Sequence, residues 1–458
     1  MVVSIIQKSQ LEGAHRLDAE YYCSPRLLSG LDFYTGADVV SFVQYGTSEE
    51  LNEEGRGYPV LRLNEFEESF SGVPEKYCDK LSKEQFEDLK LKKDDVLICR
   101  TNGNPALVGK SAVVMQAIDN AFASYLFRVR PDTNKINSAT LVAFLNSKYG
   151  RSEIEKYLMP SIQSNFSPAK FREIKIPKFR DALRENIARL FEESFSLLQN
   201  SKFLYSQAEN LLLEELGLED FSAKGGSTSG GEADGELWNV VNMSEVNAAG
   251  RMDAEYFQPK YERLISKINS QNAKLLGDLV SIKKGIEPGA EAYQEEGKLF
   301  MRVSSISKFG LADKDQKYIT DQLYKELKDN YAPKVGEVLL TKDATPGIAF
   351  VLKEKVEGVI SGGILRLKLK ENIDAEYLAL CINSVVGQLQ AVRDAGGSII
   401  AHWKPEQIKQ VQIPILPEKI QQKIAELVRQ SHEARKKAKE LLDEAKRKVE
   451  EMIERGGE

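Results

Sequence analysis

Apolar and polar residues along this chain keep two different rhythms. From Asp181 to Leu216 one helix side is marked by Leu183, Ile187, Leu190, Ser194, Leu197, Ser201, Leu204, Ala208 and Leu211. The steps alternate four and three, which is a heptad seam. From Glu418 to Arg455, Ile420, Ile424, Leu427, Ser431, Ala434, Ala438, Leu441, Ala445, Val449 and Met452 keep nearly the same rhythm, with Lys, Arg and Glu on the other faces. Neither stretch contains Pro or Gly, and at 1.5 Å per residue each predicts a helix roughly 55 Å long. Two such helices in one chain should find each other, and small seam residues such as Ala434 and Ala438 permit close approach. Taken alone, either could equally be plain scaffold.

The second rhythm is that of short strands, and it occurs twice. DVLICRT, SAVVMQAI and SYLFRVR are answered by EVLLTK, IAFVLK and ILRLKLK, all rich in β-branched and aromatic residues. The correspondence is an internal repeat. RLDAEYYCSPR at 16 to 26 matches RMDAEYFQPKY at 251 to 261, an offset of 235. VVSFVQYG then answers LVSIKKG, PVLRLNEF answers LFMRVSSI, and NFSPAKFREIKIP at 165 to 177 answers HWKPEQIKQVQIP at 402 to 414. SATLVAFLNSKYGRSEIEKYL reads as one helix with Ser138 at its start. Each copy is therefore an α/β globule of mixed strands and helices that closes with a long heptad helix. Between the copies, SAKGGSTSGGEADGE at 222 to 236 reads as a flexible linker.

Composition adds bounds. The 458 residues, 42% hydrophobic and 29% charged, suit a globular protein of two or three domains. The chain has no apolar run of eighteen residues and no signal-peptide pattern, so a cytoplasmic protein is expected, without a membrane partner. Cys23, Cys78, Cys99 and Cys381 lack CxxC spacing, which indicates neither a zinc site nor a disulfide framework. The net charge of -6 is unevenly spread: residues 181 to 216 carry three basic and seven acidic side chains, residues 217 to 236 one and five, and residues 418 to 458 eleven and ten. What remains for the globular parts is +1, and a near-neutral globule can still present a basic face to nucleic acid.

Candidate chemistry is sparse. GNPALVGKS from Gly103 to Ser111 resembles a phosphate-binding loop but has five residues between its glycines instead of four, and a strand follows where a helix is needed. A nuclease constellation of Asp132 with Glu173 and Lys175 is spread over forty residues and is missing from the second copy. His15, His402 and His432 have no nearby nucleophile or ligand. What remains is a set of polar and basic tips. Thr47 and Ser48, with Lys283 and Lys284 opposite them in the repeat, lie in Gly-containing turns where backbone N–H groups and hydroxyls can meet phosphates. Arg100, Thr101 and Asn102, with Lys342 and Asp343 in the second copy, sit at strand ends, where Arg suits guanine and Asn suits adenine. Asn165 with Phe166, and His402 with Trp403, could do likewise, and Lys110 and Lys404 lie beside these segments. Taken singly each reads as a solvated turn; as a set present in both halves they point to DNA.

Two divergent globules that end in IKIP or VQIPILP and then a long helix resemble the specificity subunits of type I restriction-modification systems. The resemblance covers nearly the whole chain and is carried by YGTSEE…GYPVLRLNEF, DVLICRTNG…GKSAVV, NFSPAKFREIKIP and HWKPEQIKQVQIPILPEKIQQKI. The first copy departs from it after Pro177, reading KFRDALREN where the family often has a second Pro and Glu-Gln, whereas Pro414, Pro417 and Glu418 stand in the second. It implies a mixed α/β fold with a pseudo-twofold repeat: target-recognition domains over 1–180 and 237–417, a linker over 217–236, and spacer helices over 181–216 and 418–455 packed antiparallel as a coiled coil. It implies a non-catalytic subunit that reads a bipartite, asymmetric target in double-stranded DNA and directs adenine methylation and restriction by its partners. Those would be two methyltransferase subunits and, optionally, two restriction subunits. S-adenosylmethionine, ATP and Mg would belong to the partners, with no metal or other cofactor in this chain. A coiled-coil scaffold without sequence-specific DNA binding stays open as the rival, while a solitary DNA enzyme would need a catalytic motif the chain does not display.

Overall fold

The computed structural model describes residues 31–158, 164–219, 221, 240–312, 316–395 and 401–456. The opening motif at 16–26, the stretch 222–236, His15 and Cys23 lie outside the described residues. The described residues form two compact units, one running to Gln199 and resuming at Lys436, the other spanning Asn200–Arg435.

In the first unit the strand Val96–Cys99 lies between Leu126–Pro131 and Ser111–Val113, antiparallel to both. Val40–Tyr45 closes the far side, and the hairpin of Phe66–Glu67 and Phe70–Ser71 joins through a parallel pairing of Phe70 with Val113. A second sheet orders Ala121–Phe122, Tyr58–Leu61 and Lys76–Cys78. The second unit repeats this plan. Val338–Thr341 lies between Ile364–Leu369 and Ala349–Val351, with Val280–Lys284 at the edge, and Gly358–Ile360, Lys298–Met301 and Lys317–Ile319 form the other sheet. Its hairpin, Ile306–Ser307 with Gly310–Leu311, stands apart as a two-stranded sheet. VLIC and VLLT are buried at every position, so the central strands read as unbroken apolar runs because both of their faces are covered.

Two glycines are demanded by this plan. A Cβ on Gly46 would lie 2.2 Å from the carbonyl oxygen of Phe122, and one on Gly285 would lie 2.1 Å from that of Ser361. Only glycine lets the turn after the edge strand come so close to the second sheet.

The stretch read as one helix from Ser138 is two, Ser138–Leu145 and Lys148–Glu155. Asn137 caps the first, its side chain accepting from Thr140 N–H at 2.8 Å, and Ser147 caps the second by accepting from Gly150 N–H at 3.2 Å. Ser384 separates Ala375–Asn383 from Val385–Asp394 in the same way. A side-chain oxygen that satisfies the first N–H groups of a new helix competes with continuation of the old one.

Each unit buries one Arg of its central sheet. Arg128, 1% exposed, donates to Lys90 O at 2.7 Å, to Asp88 O at 2.8 Å, to Asp95 at 3.1 Å and to Gln44. Arg366 donates to both oxygens of Glu337, at 2.7 and 2.9 Å, and to Asn330 O at 3.0 Å. Burial pushes the Arg128 pKa down against the pull of Asp95, and it pushes that of Glu337 up, which the bonds from Arg366 outweigh to leave it lowered.

The long helices span Asp181–Leu216 and Glu418–Glu454. In the first unit Ser194 Oγ donates to Ala438 O at 2.7 Å; in the second Ser201 Oγ meets Ser431 Oγ at 3.1 Å, and Ser431 Oγ donates to Ser201 O at 2.7 Å. The register advances along one helix as it retreats along the other, so the packing is antiparallel. Of the expected seam residues, Ile187, Leu190, Ser194, Ser201, Ala208, Ile424, Ser431, Ala434, Ala438, Ala445, Val449 and Met452 are buried. Leu183, Leu197, Leu204, Leu211, Ile420, Leu427 and Leu441 flank the seam half-buried, and Leu198, Tyr205, Leu212, Val428 and Leu442 take the buried places. Each of these lies one residue on from a flanking position, and Leu198, Tyr205 and Leu212 recur every seventh residue beside Ser194, Ser201 and Ala208, so the seam is a regular heptad whose second position is shifted by one.

Candidate nucleic-acid interface

Arg100, Thr101, Asn102 and Asn165, and in the second unit Lys342, Asp343 and His402, lie on one small feature that both units build by antiparallel pairing. In the first, the strand Val96–Cys99 leads into Thr101–Asn102, which pairs antiparallel with Ser164–Asn165, Thr101 opposite Asn165. In the second, Asp343 bridges His402 in the same sense. Backbone bonds of the same kind hold both ribbons: Phe166 N–H donates to Arg100 O at 2.7 Å, and Trp403 N–H to Lys342 O at 2.8 Å.

Phe166 and Trp403 anchor these ribbons from below. Phe166 is 0% exposed, with ring centroids 6.2 Å from Phe127 and 6.4 Å from Phe171; Trp403 is 1% exposed and belongs to the core of its unit. This corrects the expectation that Trp403 meets DNA, since a ring with no free face cannot stack on a base. The residue before each anchor is outside: Asn165 is exposed, and the His402 side chain is 60% exposed. A strand alternates its faces, so one neighbour packs while the other projects.

The remaining candidates fall into two groups. Ser48, Lys283, Lys284 and Lys404 are exposed. Arg100 is half-buried and its guanidinium lies 5.2 Å from the ring centre of the exposed Tyr45. Asn102 Oδ1 accepts from Asn104 N–H at 2.8 Å, while Thr101 and Lys110 are half-buried. Thr47 is buried, its N–H donating to Phe122 O at 2.8 Å and its hydroxyl accepting from Glu49 N–H at 3.1 Å. Gly285 N–H and Ile286 N–H are likewise taken, by Ile364 O and Ile360 O. The turns expected to offer backbone N–H groups to phosphates thus spend these on their own fold, which leaves that role to exposed side chains.

In the second ribbon Asp343 Oδ2 accepts from Lys342 Nζ at 2.6 Å and Oδ1 accepts from His402 Nδ1 at 2.8 Å. Burial pushes the Asp343 carboxyl upward, but these two bonds outweigh it and hold it below the usual carboxylate range. The sequence placed Asp343 with Lys342 among the strand-end candidates for base contact, but not its pairing with His402, which is 59 residues away. Among the described residues no group of His, Cys, Asp and Glu could hold a metal ion, and no helix is long and apolar enough to cross a membrane.

Comparison with known proteins gives this architecture a context. Residues 271–445 match the family described as Type I restriction modification DNA specificity domain. A Methanocaldococcus jannaschii protein provisionally named type I restriction enzyme MjaX specificity subunit is 20% identical over 428 residues, 91% of each chain. The type I restriction enzyme StySPI specificity subunit of Salmonella potsdam is 27% identical over 121 residues, 26% of each. Among solved structures, the type I restriction-modification S subunit from M. genitalium aligns over 94% of this chain and 98% of its own, at 12% identity and a TM-score of 0.38.

Proposed function

The chain belongs to the non-catalytic DNA specificity subunits of type I restriction-modification systems, and from that premise we propose that its two ribbons read the two halves of a split, asymmetric DNA target. The observation that supports this reading is the pairing of one backbone plan with unlike tips. Arg100, Thr101, Asn102 and Asn165 in the first unit correspond to Lys342, Asp343, Ala344 and His402 in the second. Donor and acceptor patterns on base edges differ from base pair to base pair in the major groove, so two such sets of side chains select different sequences. Exposed Lys283, Lys284 and Lys404 would supply the phosphate contacts that position without specifying.

The recognition domains are assigned to residues 1–180 and 237–417, joined by 217–236, with the helices 181–216 and 418–455 as the spacer between half-sites. Two recognition elements about one helical turn of DNA apart, roughly 34 Å, would suit a bipartite reader. Methyltransferase subunits, and restriction subunits where present, would assemble with the chain on double-stranded DNA and bring S-adenosylmethionine, ATP and Mg. Co-expression with the neighbouring methyltransferase subunit and mapping of modified adenines across the host DNA tests this. One bipartite motif with two unlike halves is the expected result; methylation that is absent, or unchanged when the chain is omitted, would favour a scaffold role.

A further inference from the structure

The second ribbon carries a feature that its counterpart does not. Asp343 and His402 face each other across it, and the flanking backbone bonds run from Ala344 N–H to Ala401 O, 3.0 Å, and from Trp403 N–H to Lys342 O, 2.8 Å. That pattern makes Asp343 and His402 a non-hydrogen-bonded antiparallel pair, the kind whose side chains stand closest. Their side chains meet at 2.8 Å between Nδ1 and Oδ1. The opposite carboxylate oxygen is held by Lys342 Nζ, and the Lys342 side chain is only 12% exposed. Gly363 packs beside the carboxylate; an added Cβ there would meet Asp343 Oδ2 at 3.4 Å, an ordinary contact, but would crowd a methyl of Val303 at 2.8 Å. Ala344, next in sequence, is held at φ 61, a left-handed conformation that a residue with a Cβ rarely adopts. Backbone strain of this sort is retained where the surroundings over-determine a conformation.

The carboxylate can only accept, so it fixes the proton of a neutral imidazole on Nδ1. Nε2 is then an acceptor on a ring that is mostly in solvent, and no described residue bonds it. Lys342 matters as much as the His: an uncompensated carboxylate here would repel DNA, and the buried ammonium removes that repulsion. We propose that His402 is the base-reading residue of the second unit, accepting through Nε2 from the exocyclic amino group of an adenine or cytosine in the major groove, with Asp343 as the positioning residue that fixes its tautomer. This rests on the DNA-reading role proposed above. In the first ribbon Thr101 and Asn165 occupy the same two places.

The test is methylome mapping of the chain co-expressed with its methyltransferase subunit, for the unaltered protein, H402A, H402Q and D343N. The unaltered chain must first yield a bipartite motif; if it does not, the DNA-reading role itself fails and the variants are not needed to show it. Given a motif, H402A is expected to raise methylation of sites with a substituted base by about ten-fold at one position of one half, leaving the other half unchanged. H402Q, whose amide oxygen can accept the same hydrogen, should restore the original preference, and this variant decides the matter if H402A abolishes methylation. In D343N an amide can donate to Nδ1 and move the imidazole proton to Nε2, so preference at that one position should change to a base pair that presents an acceptor at the same place in the groove. A merely structural Asp would lower total methylation without changing the base. A motif unaltered in H402A, or an H402Q motif as relaxed as that of H402A, would overturn the proposal.

Discussion

The two units solve one folding problem twice and diverge where the fold exerts least control. In both, an unbroken apolar strand leads to a two-stranded ribbon, a buried aromatic anchors it, and an Arg on the neighbouring strand is closed off by a carboxylate at the start of that strand. The details differ in kind. Asp95 in the first unit serves Arg128 and Arg130 together, at 3.1 and 2.7 Å, whereas Glu337 in the second bonds one Arg, Arg366, with both of its oxygens and accepts from Lys334 N–H besides. At the tips nothing is retained except the backbone pairing: Thr101 and Asn165 stand where Asp343 and His402 form an ion-dipole pair. Positions that hold the ribbon in place tolerate only chemically similar replacements, while positions that project from it are free to take on whatever a target requires.

Breaking the shared scaffold should have the largest effect. R366A leaves the buried Glu337 carboxylate without its Arg, and loss of one member of a buried pair costs about 3 to 5 kcal/mol. Denaturant titration should show R366A as the more severe, because in R128A Asp95 keeps Arg130 at 2.7 Å and the loss falls on Lys90 O and Asp88 O. Near-equal losses would mean that those two orphaned carbonyls weigh as much as an unpaired carboxylate.

The anchors come next. W403A should cost about 3 to 5 kcal/mol. W403F, which makes the second ribbon resemble the first, should stay within about 1.5 kcal/mol and leave the methylated motif unchanged. The indole Nε1 is buried and finds no hydrogen-bond partner among the described residues, so phenylalanine removes an unpaired donor along with some apolar area. A changed motif in W403F would place the ring in base recognition after all.

Smaller effects separate the halves of the helix pair. S431A removes the bond to Ser201 O and the contact with Ser201 Oγ, and S194A removes only the bond to Ala438 O. At about 1 kcal/mol per bond, thermal melts should rank S431A below S194A in stability.

The smallest effect sharpens the contrast at the tips. Asp343 titrates below its unfolded value, so its contribution to stability is complete above the unfolded pKa of about 3.9. It is lost as the pH falls through the lower folded value. Thr101 has nothing to titrate. D343N should therefore flatten the acid limb of stability against pH, whereas T101A should leave its slope as it was.

Apolar periodicity alone determined a great deal about this protein: the repeat, the strands of both copies, and two long helices whose seams run through Ser194, Ser201, Ala434 and Ala438. Those are local properties, set by which residues recur at 2.0 or 3.6 positions. Other features were decided only when distant segments met. Leu197 and Leu198, or Leu441 and Leu442, are equally apolar neighbours, and only the opposing helix selects the second of each pair for burial. The break at Ser147 depends on Gly150 coming so near the carbonyl oxygen of Phe144 that a Cβ would lie 2.0 Å from it. Trp403 reads as an exposed aromatic beside a polar residue until the core of its unit closes over it, and Asp343 reads as a strand-end candidate for base contact until a ribbon brings His402 across to it. Periodicity tells each residue which face it shares with its neighbours along the chain, but which face is covered, and by what, is fixed by the packing of segments that are far apart in sequence.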